Sequence, residues 1–190
     1  MPGLAIRAAQ VGDLRRLMEI YNHYVVHLPA TFDLEAKTLE ERQDWFGQFA
    51  ETGRHRLLVA EVGGLVLGYT GTMRWRPKPA YDTTVETTIY CAPESVGRGV
   101  GAQLYAALFD AIAGEEIHRI VAGFVPPNPA SAALHERFGF RPVGVFGEVG
   151  YKAGTGMFAG WRSGFKLLGA RCGRSDFSFA AGAGGFSGRG

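Results

Sequence analysis

TTVETTIYCAPESVGRGVGAQLYAALFDAIA, residues 83–113, runs from a strand through a turn into a glycine-rich helix entrance. Thr84 to Tyr90 is dense in β-branched and aromatic residues, which suit a pleated, half-buried surface. Pro93 ends the strand, because proline donates no ladder hydrogen bond. Gly97, Arg98, Gly99, Val100 and Gly101 follow. From Ala102 the apolar positions Leu104, Leu108 and Ile112 recur at the spacing of a helix. Glycines at a helix entrance let backbone N–H groups approach a ligand, and the helix N-terminus adds partial positive charge. The combination suits a pyrophosphate.

Two common phosphate-binding patterns fit poorly. A P-loop needs Gly-Lys-Ser/Thr at the helix start, where this chain has Gly101-Ala102-Gln103. Gly97, Gly99 and Ala102 satisfy the dinucleotide pattern, but that fold wants an acid at the end of the next strand. The next predicted strand, His118 to Val125, ends without one. By itself the glycine cluster also suits a plain strand-to-helix turn.

A second element adds support. Asn128 is a good N-cap, Pro129 suits a first helical position, and Gly139 suits the residue just past the end. Asn128, Ser131 and His135 share one face of the short helix so bounded. Taken with the glycine loop, this helix resembles the later cofactor helix of the GNAT acyltransferases, whose acetyl-CoA pyrophosphate loop the stretch 97–102 resembles. The similarity narrows to the phosphinothricin and methionine sulfoximine N-acetyltransferase branch. It is carried by Tyr21-Asn22-His23-Tyr24, Trp75-Arg76, Ala80-Tyr81-Asp82, Thr84-Val85-Glu86, Leu134-His135-Glu136 and Gly150-Tyr151-Lys152, and it covers residues 4 to 154. Val96 departs from it, standing where the family usually has Gln or Arg.

The resemblance implies a mixed α/β domain with a central, mostly antiparallel sheet flanked by helices and splayed beyond the strand of Glu86. Its cosubstrate is acetyl-CoA, with no metal. It implies that Gly97, Arg98, Gly99, Val100, Gly101 and Ala102 hold the pyrophosphate. Asn128 and Ser131 are caps that also reach the pantetheine arm, and backbone N–H groups around Ile89, Tyr90 and Cys91 polarise the acetyl carbonyl. Glu86 is the implied general base, with His135 assisting or binding cofactor. Phe32, Arg74, Trp75, Arg76, Lys78 and Tyr81 are expected to meet the acceptor, an amino acid analogue. Read without the family, Glu86 is an exposed strand acid, His135 a packing histidine and Phe32 generic packing, while the cations suit equally a solvated loop and recognition of a substrate carboxylate or phosphinate by Arg76, Lys78 or Arg74. Cys91 lies near the expected acetyl site but reads as a small strand residue. An acetyltransferase of another amine, such as a peptide N-terminus or polyamine, and a non-catalytic acetyl-CoA-binding module are the alternatives.

Composition sets the frame. The chain has 190 residues, 46% hydrophobic and 20% charged, with net charge +2. That is a globular balance, too weakly basic to argue for nucleic acid. Cys91 and Cys172 make no disulfide framework, and no His/Cys cluster has zinc spacing. No apolar run reaches membrane-spanning length and the N-terminus lacks a signal-peptide core, so a cytoplasmic location is expected. The resembled family also implies a homodimer.

Local signals place the remaining elements. Leu4 to Arg7 reads as a strand. Asp13 is expected to cap a helix carrying Leu14, Leu17, Met18 and Tyr21, which Pro29 breaks. Thr38 and Glu41 form a capping box before a helix with Trp45, Phe46 and Phe49 on its apolar side. Leu57–Val62 and Leu65–Met73 read as a hairpin around Gly63-Gly64. Arg141 to Glu148 reads as a strand and Trp161 to Leu168 as an edge strand. The domain is expected to span 1–168. The Gly/Ala/Ser-rich segment 169–190 is expected to be a flexible tail, because it lacks the apolar surface to offset ordering entropy.

Overall fold

The computed structural model describes residues 3–152 and 162–171. Strand β1 (Ala5–Ala8) is followed by helices α1 (Leu14–His27) and α2 (Leu39–Phe46), then strands β2 (Leu57–Val62), β3 (Leu65–Arg74) and β4 (Thr84–Cys91). Helix α3 (Val100–Ala111), strand β5 (Arg119–Phe124), helix α4 (Pro129–Arg137) and strands β6 (Arg141–Tyr151) and β7 (Arg162–Arg171) complete it. They form one seven-stranded sheet of order β1-β2-β3-β4-β5-β7-β6, antiparallel except at β4–β5.

The local signals act as their chemistry dictates. Gly63 and Gly64 have φ of 57° and 84°, the left-handed pair a tight hairpin turn requires. Thr38 Oγ1 accepts from the Glu41 amide while the Glu41 carboxylate accepts from the Thr38 amide. Asn128 Oδ1 accepts from the Ser131 amide, and Gly139 turns the chain out of α4 with φ 75°.

Both faces of the sheet are covered. Leu57 and Val59 of β2 turn toward Leu17 and Ile20 of α1, with Trp45 and Phe46 of α2 alongside. Their strand neighbours Leu58 and Ala60 turn the other way, among residues of α3 such as Leu108 and Leu104. Leu104, Leu108 and Ile112, the helix positions read from spacing, are fully buried.

One irregularity of the sheet creates the clefts. β4 and β5 pair in parallel only where Thr84, Val85 and Glu86 meet Arg119, Ile120 and Val121. β3 stays paired with β4 from Val85 to Cys91. Beyond Glu86, therefore, β4 keeps one neighbour and the sheet opens into a wedge. This is the splay expected from the resemblance.

Three expectations need correction. Asp13 stands at the start of α1 but makes no capping bond; its carboxylate pairs with Arg7 at 2.7 Å and accepts from the Gln10 amide. Arg7 holds it below the usual carboxylate range. The strand expected at the edge is internal: β7 lies between β5 and β6, and β6 forms the edge. The boundary at 168 is also too early. Gly169, Ala170 and Arg171 remain in β7, opposite Val121, Ile120 and Arg119, and Ala170 is buried. The rest of the expected tail lies outside the described residues, as does Trp161.

Candidate active site

Two clefts, each of about 580 Å³, meet in the wedge. Ala30, Thr87, Thr88, Tyr90, Gly123 and Val125 line both.

The first cleft lies over the entrance to α3. Gly97, Gly99, Val100, Gly101 and Ala102 form one wall; Asn128, Ser131 and His135 stand on another, with Ile89 and Cys91 on the strand between. Gly97 and Gly99 have φ of 77° and 76°, and side chains added there would point into open space. Gly101 is different: a Cβ there would lie 3.3 Å from Leu134 and 3.6 Å from Cys91 Sγ, so its bareness lets α3 pass close to α4 and β4. A glycine loop ending in a helix N-terminus and opening on a cleft fits a pyrophosphate. Arg98 is exposed and is not part of the lining, unlike its glycine neighbours.

His135 lines this cleft, but its ring is committed. Nδ1 lies 2.7 Å from the Ser131 carbonyl, which can only accept, so Nδ1 carries the proton. Nε2 then accepts from the Tyr105 hydroxyl at 2.9 Å. The ring is buried, stacked on Phe124, and burial holds its pKa below the usual histidine value. As a partner for Glu86 the expectation is therefore corrected: His135 is a neutral clamp on Tyr105 in the neighbouring cleft, because both nitrogens are satisfied within the protein.

The second cleft is roofed by α1 and α2. Glu86 faces it from β4, together with Thr88 and Tyr90, as strand alternation requires. Burial raises the Glu86 pKa above the ordinary 4.5, and the charge of Arg76 opposes that rise. Phe32 lines this cleft as well, but the loop residues Arg74, Trp75, Arg76, Lys78 and Tyr81 do not. Arg74 is bound to Asp82 at 3.0 Å. Trp75 meets the Tyr81 ring edge to face and carries the Arg76 guanidinium 5.1 Å from its centroid. The loop stands as a self-contained cluster whose charge reaches Glu86.

Several groups at this cleft were not among the expected site residues. Tyr21 donates to Asp33 and exchanges a hydrogen bond with Thr31. Lys37 lies 3.3 Å from Asp33 and 3.5 Å from Glu41. Most unusual is Arg42, 5% exposed, with its guanidinium 3.4 Å from the Trp45 ring centroid. The signal was present: Arg42, Trp45 and Phe49 are spaced for one helix face, and a charge interrupts the apolar side of α2. Gly150 and Lys152 also act here. A Cβ at Gly150 would fall 2.6 Å from the Phe32 ring. Lys152 Nζ donates to the carbonyls of Val25, Leu28 and Thr31, closing the last turn of α1 and the loop after it.

Cys91 is part-buried and its thiol is pushed up to about 11 by burial, so it stays protonated. Tyr24 donates to the Cys91 carbonyl at 2.6 Å. Among the described residues, no group of three or more His, Cys, Asp or Glu could hold a metal ion, and no helix is long and apolar enough to cross a membrane.

Comparison with known proteins agrees with this geometry. Residues 16–140 match the Acetyltransferase (GNAT) family. A phosphinothricin N-acetyltransferase of Streptomyces coelicolor is 49% identical over 166 residues, covering 85% of this chain and 97% of the relative. An L-methionine sulfoximine/L-methionine sulfone acetyltransferase of Pseudomonas aeruginosa is 36% identical over 150 residues, covering 79% and 87%. The crystal structure of a GNAT superfamily phosphinothricin acetyltransferase from Sinorhizobium meliloti in complex with acetyl-CoA superposes with a TM-score of 0.81 at 27% identity, covering 90% of this chain and 89% of that one.

Proposed function

This chain belongs to the GNAT acetyltransferase family, and from that premise we propose that it moves the acetyl group of acetyl-CoA onto the amino group of a small amino acid analogue. Phosphinothricin, methionine sulfoximine and methionine sulfone are the acceptors that the relatives' names support. The observation that carries the proposal is the placement of Glu86. It stands beside Thr87, where the two clefts meet, on the strand that both clefts share.

Acetyl-CoA supplies the thioester. The glycine loop and the α3 N-terminus would hold its pyrophosphate, and the cleft between α3 and α4 its pantetheine arm. The chain's own residues do the rest. An ammonium has no lone pair, so the acceptor must lose a proton before its nitrogen attacks; the Glu86 carboxylate takes that proton, directly or through water. Backbone N–H groups along the free edge of β4 near Ile89, Tyr90 and Cys91 polarise the acetyl carbonyl. The amine nitrogen bonds to the acetyl carbon, the carbon–sulfur bond breaks, and the coenzyme leaves with the electron pair. Attack is direct: the thiolate that an acyl-enzyme route would need is the minor form of a Cys91 thiol pushed up to about 11. Arg76, the cation acting on Glu86, would meet the acceptor's carboxylate beside the amine.

We also propose a homodimer. The edge strand β6 exposes Val143, Val145 and Phe146, apolar groups of the kind that an open sheet edge covers. Sedimentation at twice the chain mass of 20.5 kDa is expected, and a monomer at micromolar concentration would remove the proposal.

The test of function is thiol release from acetyl-CoA with the three analogues, spermidine and a short peptide offered separately. Release with the analogues alone is expected. Release with spermidine or peptide alone would move the chain to another acceptor class. Binding of acetyl-CoA with no release would leave a non-catalytic module.

A further inference from the structure

Arg42 is a buried cation that the protein itself leaves incompletely partnered. Its Nε meets no acceptor among the described residues. Among the described residues its hydrogen bond runs from Nη2 to the Tyr69 hydroxyl at 3.4 Å. The carboxylates Asp33 and Glu41 line the same cleft, but both are within ion-pair range of Lys37. Among the described residues no carboxylate lies within ion-pair distance of Arg42. Burying a charge without a counter-charge is costly, and folds keep such a group where something else supplies the charge.

The rings around Arg42 fix its orientation. The guanidinium lies over Trp45, with Tyr21 at 4.9 Å and Tyr69 at 5.9 Å. Stacking holds the plane with Nε buried, and the side chain remains part of the cleft lining. The edge carrying the two terminal Nη groups of a guanidinium matches two oxygens on a single centre.

The strand register says which end of an acceptor this edge would meet. Met73 is opposite Glu86, and Tyr69 is opposite Tyr90. Four residues along a strand is about 13 Å, so Arg42, over Tyr69, stands well away from Glu86 along the cleft. The cation that acts on Glu86 is Arg76. The cleft thus has a cation near each end, one beside the base and one remote from it.

On the footing of the acceptor class proposed above, we infer that Arg42 is the specificity determinant for the acceptor's side-chain tip. It binds two oxygens of a phosphinate or sulfonyl group, while Glu86 and Arg76 face the amine and α-carboxylate. The site therefore selects amino acids with a tetrahedral, oxygen-bearing tip over those with an apolar one.

The experiment compares wild type, Arg42→Gln and Arg42→Lys by calorimetry with coenzyme A present, so that binding is read without turnover. Phosphinothricin is set against methionine, which keeps the amine and carboxylate but lacks the tip oxygens. Both variants are expected to bind phosphinothricin at least tenfold more weakly and methionine within twofold of wild type. In assays with phosphinothricin KM is expected to rise at least tenfold, with a smaller change in kcat. Unchanged coenzyme A affinity shows that the variants are folded; should Arg42→Gln fail to fold, Arg42→Lys, which keeps the charge but not the fork, decides. Unchanged phosphinothricin affinity would overturn the inference, as would equal losses for both ligands, the mark of a structural role. Wild type that acetylates phosphinothricin while the variants keep its KM would sink the Arg42 subsite and leave the acceptor class standing. Arg42-dependent binding without acetyl transfer would do the reverse. Wild type that binds no phosphinothricin would overturn both.

Discussion

At the scale of single residues, the question is which groups are poised for chemistry and which are held for packing. Glu86 and His135 separate cleanly. Glu86 is desolvated and faces a cleft, while His135 spends both nitrogens on Ser131 and Tyr105. A carboxyl whose folded pKa is raised favours the protonated folded state, so its contribution to stability is complete below about pH 4.5 and is lost as pH rises through the folded pKa. Glu86→Gln is therefore expected to melt at a higher temperature than wild type at pH 7, with the difference shrinking toward pH 4. Its turnover should fall by about 10²-fold or more, with acetyl-CoA affinity unchanged. Unaltered turnover would remove Glu86 as the base. Cys91→Ala makes the complementary test. Direct attack predicts that it retains turnover within about threefold, and loss of activity with acetyl-CoA binding intact would instead indicate a covalent route.

At the scale of elements, the acceptor corner is built by segments far apart in the chain. β6 ends where Gly150 lets the Phe32 ring pass, and Lys152 ties the carbonyls of Val25, Leu28 and Thr31. Gly150→Ala would put a Cβ 2.6 Å from the Phe32 ring, closer than real contacts allow, and the ring is part of the cleft wall. The acceptor KM is expected to rise several-fold, with acetyl-CoA affinity unchanged because the glycine loop lies in the other cleft. Steady-state kinetics with each substrate varied in turn would show the split; equal losses for both would mean that the substitution damages the fold more widely.

For the whole molecule, the sheet order determines what can be removed. β7 pairs with β5 and with β6, so the chain up to Arg171 joins the outer part of the sheet to its centre. We propose that residues 172–190, rich in glycine and alanine, add nothing to stability or catalysis. A chain ending at Arg171 should match the full chain in melting temperature and turnover. A chain ending at Gly160 loses β7, exposes the edge of β5 and should fail to melt cooperatively. A large drop in the first truncation would show that the terminal segment has a role its composition does not suggest.

What this sequence determined by itself is what neighbours within a few residues enforce. The capping box at Thr38 and Glu41, the Gly63-Gly64 turn, the α3 stripe of Leu104, Leu108 and Ile112, and the Asn128–Gly139 bracket of α4 depend on hydrogen bonds and spacings inside one segment. The family motifs added the glycine loop, Glu86 and Phe32. The tertiary structure alone decided the rest. It placed β7 inside the sheet, because pairing partners are chosen by packing and not by the strand's own residues. It turned Asp13 from a cap into the partner of Arg7, closed His135 onto Tyr105, and left the cations of Arg74–Tyr81 out of the lining of the cleft that Glu86 faces. It also buried Arg42 among rings drawn from α1, α2 and β3. A charge on a short helix is ordinarily solvated, and only the walls that three separate elements bring around it bury this one.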